Sequence, residues 1–303
     1  MSDQKPQKRN PRVRVPLAID PVDLPAGLHV VATPIGHLGD ITLRALATIA
    51  AADLVLCEDT RVTRKLLDRY GLDPQLLAYH DHNAAEVRPK VLQRLVEGAA
   101  IAIVSDAGTP LISDPGYKLV VAAIEAGHRV YPVPGASALL AALVAAGLPT
   151  DRFYFEGFLP PKTGQRQKRI ALLAEIPATL VIYETGPRLG ESLADLLQGL
   201  GSRPAAICRE LTKAFEEVRR GSLAELAAHY AEAATPKGEI VVVIAPPGDE
   251  AKKVSAEELD LKLKRALARG SLKDAVAEVS DETGLRRREV YARALALAEE
   301  EKQ

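Results

Sequence analysis

Residues 101–110 read Ile101-Ala102-Ile103-Val104-Ser105-Asp106-Ala107-Gly108-Thr109-Pro110. An apolar run of strand type ends at Val104, and a polar string holding Gly and Pro takes over as a loop. The same unit recurs on both sides of it. Leu28–Val31 runs into Thr33-Pro34-Ile35-Gly36-His37-Leu38-Gly39-Asp40, Leu54–Cys57 into Glu58-Asp59-Thr60-Arg61, and Val130–Val133 into Pro134-Gly135-Ala136-Ser137. Between these runs the apolar period becomes helical, as in Ile41-Leu43-Leu46-Ile49 and Val91-Leu92-Leu95-Val96. Strands alternating with helices predict an α/β domain with a largely parallel sheet.

Outward from this core the chain divides. Residues 1–26 carry Lys5, Lys8, Arg9, Arg12 and Arg14 against Asp3, Asp20 and Asp23, with several prolines and no apolar period, and read as a solvated basic arm. Residues 27–150 form the first α/β domain, which ends where Gly147-Leu148-Pro149-Thr150 breaks the pattern. A second α/β domain, 151–248, starts near Phe153, with Gly157-Phe158-Leu159-Pro160-Pro161-Lys162 as a rigid, linker-like stretch. Its strands are expected at Leu180–Tyr183, Ala205–Cys208 and Ile240–Ile244, and its helices around Leu189–Leu200 and Leu223–Tyr230. Phe153 and Phe155 alternate with Tyr154, so one face of that segment belongs to a core. Residues 252–303 are helical and highly charged.

The 303 residues are 47% hydrophobic and 26% charged, enough apolar material for sizeable cores. The 39 basic and 40 acidic residues nearly cancel, so whole-chain charge points to neither nucleic acid nor membrane. Cys57 and Cys208 are too few for a disulfide framework or a multi-cysteine zinc site. The longest apolar stretch, Ala136–Leu148, falls short of the ~20 residues a membrane span needs, and the absence of a signal-type apolar N-terminal region makes a reducing cytoplasm the expected compartment. With no Trp and four Phe, the composition does not suggest an aromatic platform for single-stranded bases.

In open α/β sheets ligands bind outside the carboxyl ends of the strands, and four Gly- and Pro-bearing loops at one sheet edge point to a small-molecule site. No G-x-G-x-x-G follows the first strand and no G-x-x-x-x-G-K-[ST] occurs, so a pyrophosphate cradle is not indicated. Asp106, Glu58 and Asp59 suit a ligand with hydroxyls and a positive centre. Tyr79-His80-Asp81-His82-Asn83 reads as a loop capping the next helix through Asn83, and no metal site is expected. Cys57 reads as a small buried hydrophobe. The absence of a G-x-S-x-G elbow disfavours a serine hydrolase.

Thr33-Pro34-Ile35-Gly36…Leu38-Gly39-Asp40, Cys57-Glu58-Asp59-Thr60-Arg61, Ser105-Asp106-Ala107-Gly108-Thr109-Pro110…Ser113-Asp114-Pro115-Gly116 and Pro134-Gly135-Ala136-Ser137-Ala138 resemble the tetrapyrrole-methylase superfamily. With Gly157-Phe158-Leu159-Pro160 they are most similar to its branch of ribosomal RNA small-subunit methyltransferases. The resemblance runs from about Gly27 to Pro246. It implies a homodimer of two α/β domains of tetrapyrrole-methylase type, with S-adenosylmethionine in the cleft between them and 2′-O-methylation of a decoding-region cytidine in 16S RNA. The cofactor contacts it implies are Pro34, Asp106, Ala107, Gly108, Thr109, Ile112, Ser137, Ala138 and Leu211. Where the branch often carries Glu-Ser-Pro-His-Arg, this chain has Glu184-Thr185-Gly186-Pro187-Arg188, so no role for that His carries over.

Methyl transfer from a sulfonium needs the acceptor oxygen in line with the S–CH3 bond, and positioning supplies on the order of 7–11 kcal/mol in well-aligned cases. A ribose hydroxyl is a poor nucleophile, so a general base helps, with Glu58 and Asp59 as candidates. Their alternative role is an N-terminal cap for a helix over Thr60–Tyr70, with Arg61 as ion-pair partner. Lys237 and Glu239, just before the last strand, are further candidates. At the C-terminal end, Ala275-Val276…Val279-Ser280, Gly284-Leu285 and Arg286-Arg287-Arg288-Glu289-Val290-Tyr291 have helix-turn-helix spacing, with arginines placed to grip phosphates. Two rival functions remain at this level: a porphyrinoid methylase, and a ligand-sensing nucleic-acid-binding regulator.

Overall fold

The computed structural model describes residues 22–248, 256–283 and 287–300. Most of the expected basic arm, and the expected turn Gly284-Leu285-Arg286, lie outside the described residues. The chain forms two compact units. The first holds the residues up to Ala141 together with Glu210–Glu216; the second holds Ala142–Arg209 and the chain from Glu217.

Five parallel strands build the first unit: β1 Gly27–Val31, β2 Leu54–Cys57, β3 Leu76–Ala78, β4 Ala100–Val104 and β5 Val130–Val133, in the order β3-β2-β4-β1-β5. Side chains alternate across a strand, and the two faces can be read residue by residue. Val31, Val55, Cys57, Ala102 and Val104 meet α1 (Leu43–Ala51) and α2 (Thr60–Tyr70). Leu28, Leu54, Leu56, Ile101 and Ile103 meet α3 (Ala84–Val96) and α4 (Tyr117–Glu125). This segregation follows from handedness. The crossovers β1→β2 and β2→β3 run one way along the sheet, and β3→β4 and β4→β5 run the other, so right-handed connections place their helices on opposite faces. A further helix, α5, spans Ala138–Ala146. The division between units falls inside α5 and not at the Gly147-Leu148-Pro149-Thr150 break.

The second unit contains β6 Phe153–Phe158, α6 Thr163–Leu173, β7 Thr179–Thr185, α7 Gly186–Leu200, β8 Pro204–Arg209, β9 Glu217–Ser222, α8 Leu223–Glu232 and β10 Glu239–Ile244. The strand order is β6-β7-β10-β8-β9; only β6 and β7 are parallel. Leu180, Ile182, Ile207, Ile240 and Val242 pack with Ile170, Leu189, Leu193 and Leu226 from the helices. The stretch expected to be linker-like is part of this fold. Gly157 and Phe158 complete β6, and Leu159 is only 1% exposed.

The turn from β7 into α7 is closely held. Glu184 is buried and accepts bonds from Thr185 N (2.8 Å) and Ser192 Oγ (2.5 Å), with Arg188 Nε 3.5 Å away. Gly186 opens α7 beneath the Pro236 carbonyl, where a Cβ would stand 1.6 Å from Pro236 O. The departure from Glu-Ser-Pro-His-Arg thus has a steric reason at this position.

Toward the C-terminus, α9 (Ala256–Leu267), α10 (Leu272–Thr283) and α11 (Arg287–Glu300) share a core of Leu263, Ala266, Ala275, Val276, Val279, Val290, Ala294 and Leu297. Arg293 Nε donates to Asp260 Oδ1 at 2.6 Å, tying α11 to α9. Arg287 and Arg288 are exposed at the start of α11. Among the described residues no helix is long and apolar enough to cross a membrane.

Candidate functional site

The connections that leave the neighbouring strands β1 and β4 run in opposite directions, which makes their carboxyl ends the switch point where open α/β sheets bind ligands. The loops at this edge are laced together. Thr33 N donates to Gly108 O (2.8 Å) and Gly108 N to Thr33 O (3.1 Å), while Thr33 Oγ1 donates to Ser105 O (2.9 Å). Thr109 Oγ1 donates to Ala136 O at 3.2 Å, joining the loop after β4 to the turn before α5. Gly108 has φ +87°, and a Cβ there would lie 3.2 Å from Ile35 Cγ2.

Of the residues the resemblance implied for a cofactor, Pro34 follows β1, Asp106, Ala107, Gly108, Thr109 and Ile112 follow β4, and Ser137 and Ala138 open α5. The ninth, Leu211, is 9% exposed on the segment Glu210–Glu216, which belongs to this same unit. His37 N donates to Thr212 Oγ1 at 3.0 Å, and a Cβ on Gly36 would meet Leu211 O at 3.2 Å, so that segment lies against the loop after β1. The structure therefore collects all nine in the first unit.

Backbone strain concentrates here too. Among the described residues, the non-glycine positions with positive φ are Leu111 (72°), Ser113 (61°), Glu210 (50°) and Thr212 (64°). All four lie in two of these loops, and such conformations cost on the order of 1–3 kcal/mol each unless the surroundings impose them. Sequence reasoning missed Thr212 and Ser113, because neither residue type signals a positive φ.

An acidic group adjoins the loops. Ser105 Oγ donates to the Asp114 carboxylate and accepts from Ala107 N. Asp106 Oδ1 accepts from Asp59 N at 3.1 Å. Asp59 is also the N-cap of α2, accepting from Arg61 N (2.8 Å) and from the Arg61 guanidinium (2.6 Å). These bonds hold its carboxyl down to about 2, so it is a weak base, and its cap role is the one the geometry realises. Glu58 differs. Partial burial pushes its carboxyl above the ordinary glutamate value, Asp106, Asp114 and Asp81 push the same way, and His80 opposes them. Asp106 is likewise raised, chiefly by burial. Lys237 and Glu239 belong to the second unit; Lys237 O accepts from Arg209 Nη1 at 3.2 Å.

Asn83 does occupy the N-cap position of α3, but its side chain turns back instead of capping it. Its Oδ1 accepts from His80 N and its Nδ2 donates to Ala78 O, both at 2.9 Å. The loop is thereby closed on itself, with the His80 and His82 rings edge to face at 5.9 Å. Among the described residues there is no group of three or more side chains suited to a metal ion. Cys57 is 1% exposed and burial raises its thiol, in keeping with a packing role.

Residues 27–227 match the family of tetrapyrrole (corrin/porphyrin) methylases, and residues 253–298 match the RsmI C-terminal HTH domain. The chain is similar to ribosomal RNA small subunit methyltransferase I of Mesorhizobium japonicum, with 54% identity over 275 residues, 90% of this chain and 93% of that relative. The protein of the same name from Halalkalibacterium halodurans is 44% identical, covering 87% of this chain and 93% of its own length. The structure of uroporphyrin-III C-methyl transferase from Thermus thermophilus, complexed with S-adenyl homocysteine, gives a TM-score of 0.52 at 21% identity over 72% of this chain and 96% of that one, a likeness of fold.

Proposed function

Since this chain belongs to the tetrapyrrole (corrin/porphyrin) methylase family, in the branch of ribosomal RNA small subunit methyltransferase I, we propose that it methylates a cytidine ribose 2′-oxygen in the decoding region of 16S RNA, using S-adenosylmethionine. The observation that carries this reading is the joining of the loops after β1, β4 and β5 at the switch point of the first sheet. The residues there fit the cofactor. Pro34, Ile112 and Leu211 offer apolar contact, Asp106 offers a carboxylate to hydroxyls or to a positive centre, and the lack of a Cβ at Gly108 leaves backbone open to close approach. When bound, S-adenosylmethionine supplies an electrophilic methyl group on a sulfonium.

The rest falls to the protein. Thr33, Thr109 and Ala136 fix the loops relative to one another, so the acceptor meets a preorganised site. Glu58 is the group that takes the hydroxyl proton, since Asp59 is committed to Arg61. A carboxylate raised in this way is protonated at acid pH and becomes a base only above the ordinary value of 4.5. The expected rate therefore climbs with pH through a window that lies above 4.5. Glu58→Gln is expected to remove that limb and lower kcat about a hundredfold; a pH–rate series on both proteins checks it, and an unchanged profile excludes Glu58.

Exposed Arg287 and Arg288 on α11 provide the phosphate grip, which favours RNA over a porphyrinoid acceptor. We further propose, from the sequence resemblance alone, that the protein works as a homodimer in the cytoplasm. Labelled cofactor offered with small ribosomal subunits, total RNA or DNA tests the assignment: label is expected in small-subunit RNA, and label confined to DNA or absent from every nucleic acid refutes it.

A further inference from the structure

The string Gly157-Phe158-Leu159-Pro160 has no part in the chemistry described so far, yet several devices hold it in place. In the pairing of β6 with β7, Phe155 faces Val181, Gly157 faces Ile182 and Phe158 faces Tyr183. Glu156 is thus an extra residue, a β-bulge, followed by Gly157 at φ +75°. Bulges of this kind re-aim side chains and recur beside active sites. Here the consequence is specific. Strict alternation would send Phe158 to the face opposite Phe155, toward the helices; the extra residue returns it to the same face. Both rings then meet Tyr183 edge to face, with centroids 4.8 Å away for Phe155 and 5.7 Å for Phe158.

The bulge is pinned on both sides. Arg169 grips Glu156 through two bonds of 2.6 and 2.7 Å and also donates to Tyr154 OH at 2.9 Å. Beyond Phe158, Arg188 donates to Leu159 O at 2.6 Å, and Arg166 to Pro161 O at 3.2 Å. The Arg166 side chain is 2% exposed and is paired with Asp195 at 2.6 Å. Leu159 is buried beside a ring, Phe158, that remains 50% exposed. A half-exposed phenyl forgoes the burial that normally stabilises an aromatic residue, and here rigid backbone presents it at the carboxyl end of two parallel strands. Lys162, exposed at the N-cap of α6, adds a positive charge four positions further along.

We propose that Phe158, backed by Tyr183 and Phe155, is a stacking platform for an unpaired base of the RNA substrate, with Lys162 toward its phosphate. The proposal rests on the RNA reading above and adds a binding residue to it. A rigid, exposed aromatic face is the chemistry that stacks single-stranded bases, and a cation in the following loop suits the charge of their backbone. Composition alone gave no expectation of such a platform; the bulge assembles one from three of the chain's few aromatic residues.

Since the chain has no Trp, Phe158→Trp installs its one tryptophan at the platform, selectively excited at the red edge of the absorption band apart from the tyrosines. Protein-free small-subunit RNA is expected to quench its emission saturably, and an unchanged emission at saturating RNA overturns the proposal. In steady-state assays Phe158→Leu is expected to raise KM for that RNA about tenfold with kcat within twofold, while Phe158→Tyr and Phe158→Trp stay near wild type. An unchanged KM in a folded Phe158→Leu protein, or no rescue by the aromatic variants, also overturns it. If wild type transfers no methyl group to this RNA or to small ribosomal subunits, the enzymatic reading fails, and the quenching titration still decides the platform.

Discussion

Gly108→Val is expected to weaken S-adenosylmethionine binding at least about a hundredfold, equivalent to roughly 2.7 kcal/mol, while leaving a folded protein. Two effects act together. A β-branched residue at φ +87° is strained by about 1–2 kcal/mol, and its Cβ would come within 3.2 Å of Ile35 Cγ2. Relaxation to negative φ is blocked because Gly108 N and O are both bonded to Thr33. The strain is therefore relieved by pushing the loops after β1 and β4 apart, where Pro34 and Asp106 stand. Titration calorimetry, with a thermal melt to confirm folding, checks this. Undiminished affinity in a folded variant places the cofactor elsewhere.

Gly186→Ala is expected to destabilise the protein by about 3 kcal/mol or more, the upper range for overpacking. Its Cβ would fall 1.6 Å from Pro236 O and 2.8 Å from Pro236 C, both backbone atoms that no rotamer change can move. Either α7 or the approach to β10 must shift, which disturbs the Glu184–Ser192 bond in the same turn. Thermal unfolding should show Tm lower by roughly 10 °C for a domain of this size. A Tm within roughly 2 °C of wild type would mean that the turn yields freely.

The first sheet was legible because β1, β2, β4 and β5 are short, largely apolar runs, each followed by a loop rich in Gly, Pro or acid. β3 escaped notice: three residues, Leu76–Ala78, are too few for a period to appear. β9 escaped for another reason. Glu217-Val218-Arg219-Arg220-Gly221-Ser222 is an edge strand with little apolar character, held by its ladder with β8 and by Arg209–Glu217.

The site divides in the same way. Loop identity could be read from Gly108 and its neighbours, whereas the return of Glu210–Glu216 to the first unit is a tertiary fact with no local signature, and Leu211 was reached only through family resemblance. The two roles open to Asp59 could not be separated until Arg61 was seen to grip it. The stretch Gly157–Lys162 looked like a linker because its Pro and Gly content resembles one. Bonds from Arg166 on the next helix and from the more distant Arg188 are what make it a fixed part of the second unit.

The central claim is that the methyl group lands on a ribose 2′-oxygen of small-subunit RNA. A ribose acceptor requires an in-line approach and a grip on the backbone; a ring-atom acceptor requires full extrusion of a base into a closed pocket, which costs a few kcal/mol. Nucleoside mass spectrometry of small-subunit RNA methylated in vitro, paired with RNA carrying a single 2′-deoxy substitution at the mapped position, tests this directly. One 2′-O-methylcytidine is expected, lost completely in the deoxy substrate. A methyl group on the base, or transfer that survives removal of that hydroxyl, would contradict it.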